Sequence, residues 1–150
     1  MTKCRLTFFS VAIAALLVVC SCGSRVEPTN IWEAADFGDV DALREYLDSG
    51  VDVNATNPDG RGTPIKGAAK FGHMACVELL IARGADVTQR SGPGVSPLED
   101  AIIFRQLDVV KILVENGAMP TDAVELQDVK NLANHVSSPE IKKYINSLLD

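Results

Sequence analysis

The apolar residues of the central chain recur with a helical period in two separate stretches. In "HMACVELLIA" (73–82) they are spaced at i, i+3 and i+4, and "DVVKILVEN" (108–116) repeats the pattern. This period puts apolar side chains on one face of a helix. Further apolar positions widen both faces, so we predict two helices that are buried between neighbouring elements. The apolar positions are Met74, Cys76, Val77, Leu79, Leu80, Ile81, Val109, Val110, Ile112 and Leu113.

Residues that start or stop helices stand at matching places around these stretches. A hydroxyl side chain can cap the free N–H groups of a first turn, and proline is tolerated at the first helical position. Glycine suits the left-handed backbone that ends many helices, and the segments "NPDGRG" and "SGPG" have turn composition. These signals predict three pairs of helices. The start signals are Thr29, Thr63 and Ser96 before the first helices of the pairs, with Pro64 and Pro97 directly after Thr63 and Ser96. The stop signals are Gly50, Gly84 and Gly117 after the second helices.

Three stretches of the chain align as an internal repeat. They cover residues 29–55, 63–89 and 96–122, and matching positions recur at spacings of 34 and 33 residues. Units of this length cannot bury their apolar faces alone and must stack on one another. The predicted repeat domain, residues 29–150, divides at about 29–57, 58–90, 91–122 and a C-terminal cap at 123–150.

The C-terminal cap has the pattern of a degraded fourth unit. We predict its helices over residues 129–136 and 139–149. The charges of Lys142 and Lys143 suit the end of a stack, because repeat arrays need polar outer faces to remain soluble.

The middle unit carries the most specific motif. It reads "TPIKGAAKFGH" and then "LLIARGADV", and the first unit ends in "GVDVNA". These residues resemble the ankyrin repeat, whose signature is Thr-Pro-Leu-His-x-Ala-Ala-x-x-Gly-His, then a helix, then Gly-Ala-Asp-Val-Asn. The resemblance covers residues 29–122. It implies an all-α ankyrin-repeat solenoid of about four helix-turn-helix units with short β-hairpin loops.

The first 22 residues have the composition of an export signal. A short basic start, "MTKCR", precedes an apolar stretch of 15 residues. A membrane-spanning helix needs about 20 residues, so this stretch favours a cleaved signal peptide. Its end resembles a bacterial lipoprotein signal, in which the residue before the modified cysteine is small. Ser21 therefore favours Cys22 as the lipid anchor, and Cys20, which follows Val19, is the alternative.

The lipoprotein resemblance implies a compartment. Residues 1–21 would be the signal peptide, and residues 22–28 would tether the domain to a membrane. Two or more acyl chains hold a protein at a membrane stably. We therefore expect an exported, membrane-anchored lipoprotein that faces the periplasm or the cell exterior. Ordinary cleavage without lipid and an uncleaved N-terminal anchor are the alternatives.

The chain beyond the signal segment is acidic. Lys3 and Arg5 lie within residues 1–21, so the remainder has 12 basic and 20 acidic residues and a net charge of −8. This balance argues against nucleic acid as a partner, because nucleic-acid binding requires basic patches. The negative charge favours a basic protein as the partner. We expect the domain itself to be a monomer.

The sequence lacks arrangements that are typical of catalysis or of metal binding. His73 and Cys76 have ligand-like spacing, but His73 belongs to the Gly-His motif and Cys76 to the apolar face. A zinc site usually needs four ligands, so we interpret both residues as structural. No nucleophile motif occurs either. We predict that the protein is not an enzyme and uses no cofactor.

Phenylalanine occupies the same motif position in all three units. In the ankyrin family, the two residues before Gly-His face the concave surface, so stacked units would align the three rings as a column. The column serves either as an interface hot spot or as packing that stabilises the stack. The candidate partner-binding residues are Trp32, Asp36, Phe37, Arg61, Lys70, Phe71, Arg90, Phe104 and Arg105.

The combined resemblances imply a lipid-anchored protein-binding module of the bacterial cell envelope. Two roles suit that compartment. One is a periplasmic scaffold or chaperone for an envelope enzyme, and the other is an immunity-type inhibitor of an envelope-targeted toxin. A toxin gene next to this one would favour the inhibitor.

Metabolic labelling with palmitate tests the lipid anchor. We expect label on the wild type and none on Cys22→Ala, because Cys22 is the predicted site of acylation. Label that persists in Cys22→Ala and disappears in Cys20→Ala would move the anchor to Cys20. A wild-type protein without label would contradict lipidation altogether.

Overall fold

The computed structural model describes residues 27–91, 94–136 and 138–149. Within these ranges the chain forms eight α-helices, and the only β-structure is an isolated antiparallel bridge between Ser91 and Val95. None of the described helices is long and apolar enough to cross a bilayer. The predicted signal peptide (1–21), the anchor candidates Cys20 and Cys22, and most of the tether (22–28) lie outside the described residues. The helices are α1 (Ile31–Phe37), α2 (Val40–Asp48), α3 (Pro64–Phe71), α4 (Met74–Ala82), α5 (Pro97–Ile103), α6 (Leu107–Glu115), α7 (Ala123–His135) and α8 (Pro139–Ser147).

The helices form four pairs that stack side by side in two layers. In the layer of first helices, α1 packs against α3, α3 against α5, and α5 against α7. In the layer of second helices, α2 packs against α4, α4 against α6, and α6 against α8. This arrangement confirms the predicted all-α solenoid of four helix-turn-helix units, in which neighbouring units hold one another.

Small residues allow the first helices to approach closely. Ala34 and Ala35 in α1, Ala68 and Ala69 in α3, and Ala133 in α7 are fully buried. Because alanine adds only a methyl group to the helix surface, large side chains are left to fill the space between the two layers. The largest fully buried side chains are Leu43, Ile65, Leu80, Leu98, Ile102, Leu113, Ile141 and Ile145.

The helix starts differ from the predicted hydroxyl caps. The N-cap of α1 is Asn30, whose side-chain oxygen accepts from the N–H of Glu33 at 2.8 Å, so the predicted Thr29 cap is wrong. Thr29 donates instead to the Glu33 carboxylate, from both its N–H and its hydroxyl. Thr63 precedes α3 as predicted, but its buried hydroxyl has no hydrogen-bond partner among the described residues. Ser96 forms a full capping box at the start of α5.

Each of the first two units is locked to the next at a left-handed glycine. The imidazole of His73 lies on Gly38, and its Nε2 donates to the carbonyl of Asp36 at 2.9 Å. Gln106 repeats the arrangement one unit later, where it lies on Gly72 and donates to a carbonyl of α3 at 3.4 Å. The residues that precede α4 and α6 therefore close the ends of the first helices of the preceding units.

The loops between units are joined by an asparagine. Asn54, from the "GVDVNA" motif, accepts from the N–H of Asp86 at 2.8 Å and donates to the carbonyl of Gly84 at 3.4 Å. A single amide side chain thus supplies both a donor and an acceptor to the backbone of the next loop.

The fourth unit is longer at its start than predicted. Helix α7 begins at Ala123, whereas the prediction began at residue 129. The carboxylate of Asp122 caps it by accepting from the N–H groups of Val124 and Glu125 at 2.8 and 3.3 Å. A good N-cap residue thus extends a helix whose first residues are mostly exposed.

Gly38→Ala and Gly50→Ala separate the lock between units from backbone conformation. Both glycines are left-handed, with φ of 71° and 89°, but a Cβ at Gly38 would lie 2.6 Å from His73 Nδ1, whereas one at Gly50 meets nothing within 4 Å. We expect Gly50→Ala to lower the free energy of unfolding by about 1–2 kcal/mol. Gly38→Ala should lower the free energy of unfolding by about 1 kcal/mol more than Gly50→Ala does, because the new methyl group displaces His73 from its hydrogen bond to the carbonyl of Asp36. Urea unfolding followed by circular dichroism measures both losses, and equal losses would contradict a locking role for His73.

Candidate binding surface

Three phenylalanine side chains lie along one edge of the first-helix layer. Phe37 and Phe71 end α1 and α3, and Phe104 directly follows α5. Because these helices belong to stacked repeats, equivalent residues fall beside one another. The three side chains are 54%, 48% and 45% exposed, so packing within the stack leaves about half of each ring uncovered.

The ammonium group of Lys70 lies between two of these rings. Its Nζ is 5.3 Å from the ring centroid of Phe71 and 5.0 Å from that of Phe104. Both distances are within the roughly 6 Å over which an aromatic face attracts a cation. Lys70 therefore links the second unit to the third. We call Phe37, Lys70, Phe71 and Phe104 the aromatic surface.

A small cavity of about 270 Å³ opens beside the aromatic surface. Gly67 makes room for one of its walls, because a Cβ at this position would collide with the carboxylate of Asp36. This volume is just below the range of about 300–1,000 Å³ that is typical of small-molecule sites, and it is suited to one or two side chains of a partner. The cavity is lined by Asp36, Gly60, Arg61, Lys66, Gly67, Lys70, Phe71 and Asp100.

Two carboxylates in the cavity wall are partly buried. Burial raises the pKa of Asp36, while Arg61 and Lys70 oppose the shift. Burial also raises the pKa of Asp100 against the attraction of Lys66. Desolvation therefore outweighs ion pairing at both carboxyl groups. Carboxyl groups whose pKa is shifted by burial and by nearby charges are more typical of functional sites than of solvent-exposed surfaces.

Lys66 forms the back of the cavity and was not among the predicted binding residues. It is 5% exposed, its Nζ donates to the carbonyl of Ser91 at 2.7 Å, and it lies 3.7 Å from the carboxylate of Asp100. Lys66 occupies the place of the histidine in the ankyrin motif. This correspondence was the signal in the sequence from which a buried hydrogen-bond donor could have been predicted. Its hydrogen bond holds the loop between α4 and α5 against α3.

Two of the predicted binding residues hold loops from within the protein. Trp32 is half-buried, and its indole N–H donates to the carbonyl of Ala55 at 2.9 Å. The guanidinium of Arg90 donates to the carbonyl of Gly94 at 2.7 Å and lies 3.0 Å from the carboxylate of Glu99. Since their polar groups already have partners in the protein, both residues are better placed to support the surface than to contact a partner.

Two further arginines flank the aromatic surface. The side chain of Arg61 is 61% exposed and lies 3.7 Å from Asp36, across the mouth of the cavity. Arg105 follows Phe104 and is exposed, with a left-handed φ of 62° where the motif has glycine. A left-handed backbone costs a residue other than glycine about 1–2 kcal/mol. An exposed arginine that persists under this strain is a candidate for function.

His73 and Cys76 serve the fold separately. The ring of His73 is engaged with Asp36 and Gly38, as described above. The thiol of Cys76 is buried, and burial raises its pKa to about 11, so it is neutral and unreactive near pH 7. No three His, Cys, Asp or Glu side chains are grouped as metal ligands anywhere in the described ranges.

Comparison with known proteins identifies the repeats. A family profile described as "Ankyrin repeats (3 copies)" matches residues 31–123, which confirms the three units predicted from the spacing. The "Ankyrin repeat-containing protein P1E11.10" of Schizosaccharomyces pombe is 32% identical over 125 residues, which are 81% of this chain and 58% of that protein. The "Serine/threonine-protein kinase 12" of Arabidopsis thaliana is 40% identical over 84 residues, which are 56% of this chain and 18% of the kinase.

A solved structure shows the same fold. The crystal structure of the human ASB11 ankyrin repeat domain matches 81% of this chain with a TM-score of 0.70 and 27% identity. The match covers 54% of that domain, and the chain spans less than two thirds of each of these relatives. The similarity therefore concerns the repeats and not the whole length of the relatives.

Phe71→Ala and Leu80→Ala distinguish a surface residue from a core residue. Phe71 is 48% exposed and Leu80 is fully buried. We expect Phe71→Ala to lower the free energy of unfolding by less than about 1 kcal/mol, since it loses mainly an exposed cation–π contact. Leu80→Ala should lower it by about 2–5 kcal/mol, because it leaves a cavity in the core. Urea unfolding measures both values, and similar losses would show that Phe71 serves packing.

Proposed function

The chain belongs to the ankyrin repeat family, and from this premise we propose that it is a non-catalytic binding domain whose partner docks on the aromatic surface. Ankyrin repeats are protein–protein interaction modules. Solenoids of this kind use their extended concave faces to bind other proteins. The partner of this chain is therefore another protein.

One observation carries the proposal. Three phenylalanine rings stay about half exposed in consecutive units, and a lysine ammonium lies between two of them. Aromatic side chains are enriched in the buried centres of interfaces and among the residues that contribute most to affinity. A row of such rings on a rigid stack offers a partner a surface that needs little rearrangement on binding.

The lining of the cavity supports binding rather than catalysis. It consists of aspartate, lysine, arginine, glycine and phenylalanine. The two carboxylates in it, Asp36 and Asp100, each lie 3.7 Å from a cation, Arg61 and Lys66 respectively. Lys66 also donates to the carbonyl of Ser91, so these charged groups are already engaged in contacts within the protein.

We further propose that the domain works outside the cytoplasm, anchored through lipid at Cys22. The basic and apolar composition of residues 1–21 supports export. Pro28 is buried, and its carbonyl accepts a hydrogen bond from the hydroxyl of Tyr46 at 3.0 Å, so the chain is attached to the domain from this residue onward. The six residue steps from Cys22 to Pro28 span at most about 22 Å. A partner of the lipidated form would therefore be met close to the membrane.

Two biological roles are compatible with such a membrane-proximal binding surface. A scaffold or chaperone would hold an envelope enzyme, and an immunity-type inhibitor would cover the active surface of a toxin delivered to the envelope. Both roles require a stable protein contact on the aromatic surface. The gene neighbourhood distinguishes them, since an adjacent toxin gene favours the inhibitor.

Cross-linking in cells tests the proposed surface. The full-length protein is expressed at its native level, the envelope is cross-linked, and captured proteins are quantified by mass spectrometry. We expect Phe37→Ala/Phe71→Ala/Phe104→Ala to reduce capture of the specific partner at least about tenfold, because truncated aromatic anchors commonly cost 2 kcal/mol or more of binding.

A control variant removes exposed apolar side chains elsewhere. Val124 and Leu148 are 70% and 44% exposed in the C-terminal unit, away from the aromatic surface. Val124→Ala/Leu148→Ala should capture as much partner as the wild type. Recovery of the same proteins, in the same amounts, with the triple phenylalanine variant would refute the aromatic surface as the interface.

A further inference from the structure

Acidic side chains outnumber basic ones on the second helices, whereas basic side chains outnumber acidic ones in the lining of the cavity beside the aromatic surface. The second helices of the first three units, α2, α4 and α6, carry six acidic and two basic side chains. The cavity beside the aromatic surface is lined by three basic and two acidic side chains. The cavity lining therefore has one more basic than acidic side chain, although the whole chain has a net charge of −6. The side chains on the second helices are Asp41, Glu45, Asp48, Glu78, Asp108, Glu115, Arg44 and Lys111.

The two carboxylates in the cavity already face cations of the protein. Asp36 lies 3.7 Å from Arg61, and Asp100 lies 3.7 Å from the buried Lys66. A basic group from a partner would have to compete with these contacts and would also be repelled by Lys70. The surface is thus poorly prepared for a basic partner, although the total charge of the chain favours one.

Lys70, by contrast, forms no close salt bridge in the part of the chain that the structure describes, although its charge acts on the carboxylates of Asp36 and Asp100 from a longer distance. Its ammonium group is held between the rings of Phe71 and Phe104 and makes no hydrogen bond to the described residues. An ammonium group has three donors, and all three are available to an incoming acceptor. Because the rings restrict the side chain, a partner that binds it loses less side-chain entropy than it would with a free lysine.

Arg105 is a second basic residue and directly follows Phe104 in the chain. It is exposed and likewise has no ionic partner among the described residues. Its left-handed backbone, with a φ of 62°, keeps an arginine where the motif places glycine. The ring of Phe104 thus lies against Lys70, and Arg105 is its neighbour in the chain.

We propose that the aromatic surface recognises an acidic side chain set between apolar residues of a partner protein. The carboxylate of an aspartate or glutamate would accept hydrogen bonds from Lys70 Nζ, and the flanking apolar side chains would cover the rings of Phe71 and Phe104. Charge-assisted hydrogen bonds of this type are about twice as strong as neutral ones. This inference rests on the proposed function and specifies the chemistry of its partner.

Peptide selection on the full-length protein tests the inference. The probe is a phage-displayed library of random linear peptides, panned on immobilised wild-type protein and sequenced after selection. We expect enrichment of peptides that carry Asp or Glu flanked by Leu, Ile, Met or Phe. In fluorescence titrations, a synthetic copy with Asn or Gln in place of that acid should bind at least about tenfold more weakly.

A reversal of charge identifies the receiving residue. Panning on Lys70→Glu should enrich Lys or Arg at the position where the wild type selects an acid. Lys143→Glu makes the same change at an exposed site on α8 and should leave the selected motif unaltered. Selection of the same acidic motif by Lys70→Glu, or of peptides without an acid by the wild type, would overturn the inference.

The phenylalanine variant separates this inference from the proposed function. Peptides that lack an acid but still require Phe37, Phe71 and Phe104 would refute the carboxylate preference and leave the aromatic surface in place as the interface. Peptides that bind the triple alanine variant as well as the wild type would refute the surface itself. A library that yields no enrichment over the bare support would count against both.

Discussion

The fold depends on contact between successive repeats, because no unit can bury its own apolar face. Fully buried alanines, such as Ala34 and Ala68, bring the first helices close together, and His73 closes the end of α1 from the neighbouring unit. These contacts impose one register on the whole stack. The aromatic surface follows from that register, since it aligns Phe37, Phe71 and Phe104 without direct pairing of the rings. The candidate binding surface is therefore held in place by the stack beneath it.

Much of this architecture could be predicted from the sequence, because repeated signals support one another. The spacing of 34 and 33 residues identified the units, and the left-handed Gly50, Gly84 and Gly117 stand where predicted, with φ between 85° and 89°. The local starts of helices were harder to predict. Asn30 competes with Thr29 for the same N–H groups, and Asp122 caps a first turn that has no apolar period to reveal it.

The motif positions predicted which residues lie near the surface, but not what each side chain does there. Trp32 and Arg90 have the residue types of interface anchors, yet both bond to loop carbonyls of their own chain. Lys66 escaped prediction because its burial depends on the carbonyl of Ser91, which lies 25 residues away in the chain. Such pairings are set by tertiary packing and leave no periodic trace in the sequence. The same limit applies to charge, since a total of −6 for the whole chain does not reveal a cavity lined by three basic and two acidic side chains.

The buried thiol in α4 determines how the folded domain responds to its redox surroundings. Cys76 is completely buried, and burial raises its pKa to about 11, so the nucleophilic thiolate is scarce at neutral pH. Disulfide exchange proceeds through the thiolate, and it also requires access to the sulfur. Once folded, the domain therefore keeps the same covalent structure in a reducing compartment and in an oxidising one. Its core folds without a disulfide bond, and the buried thiol is not accessible for the formation of a wrong one.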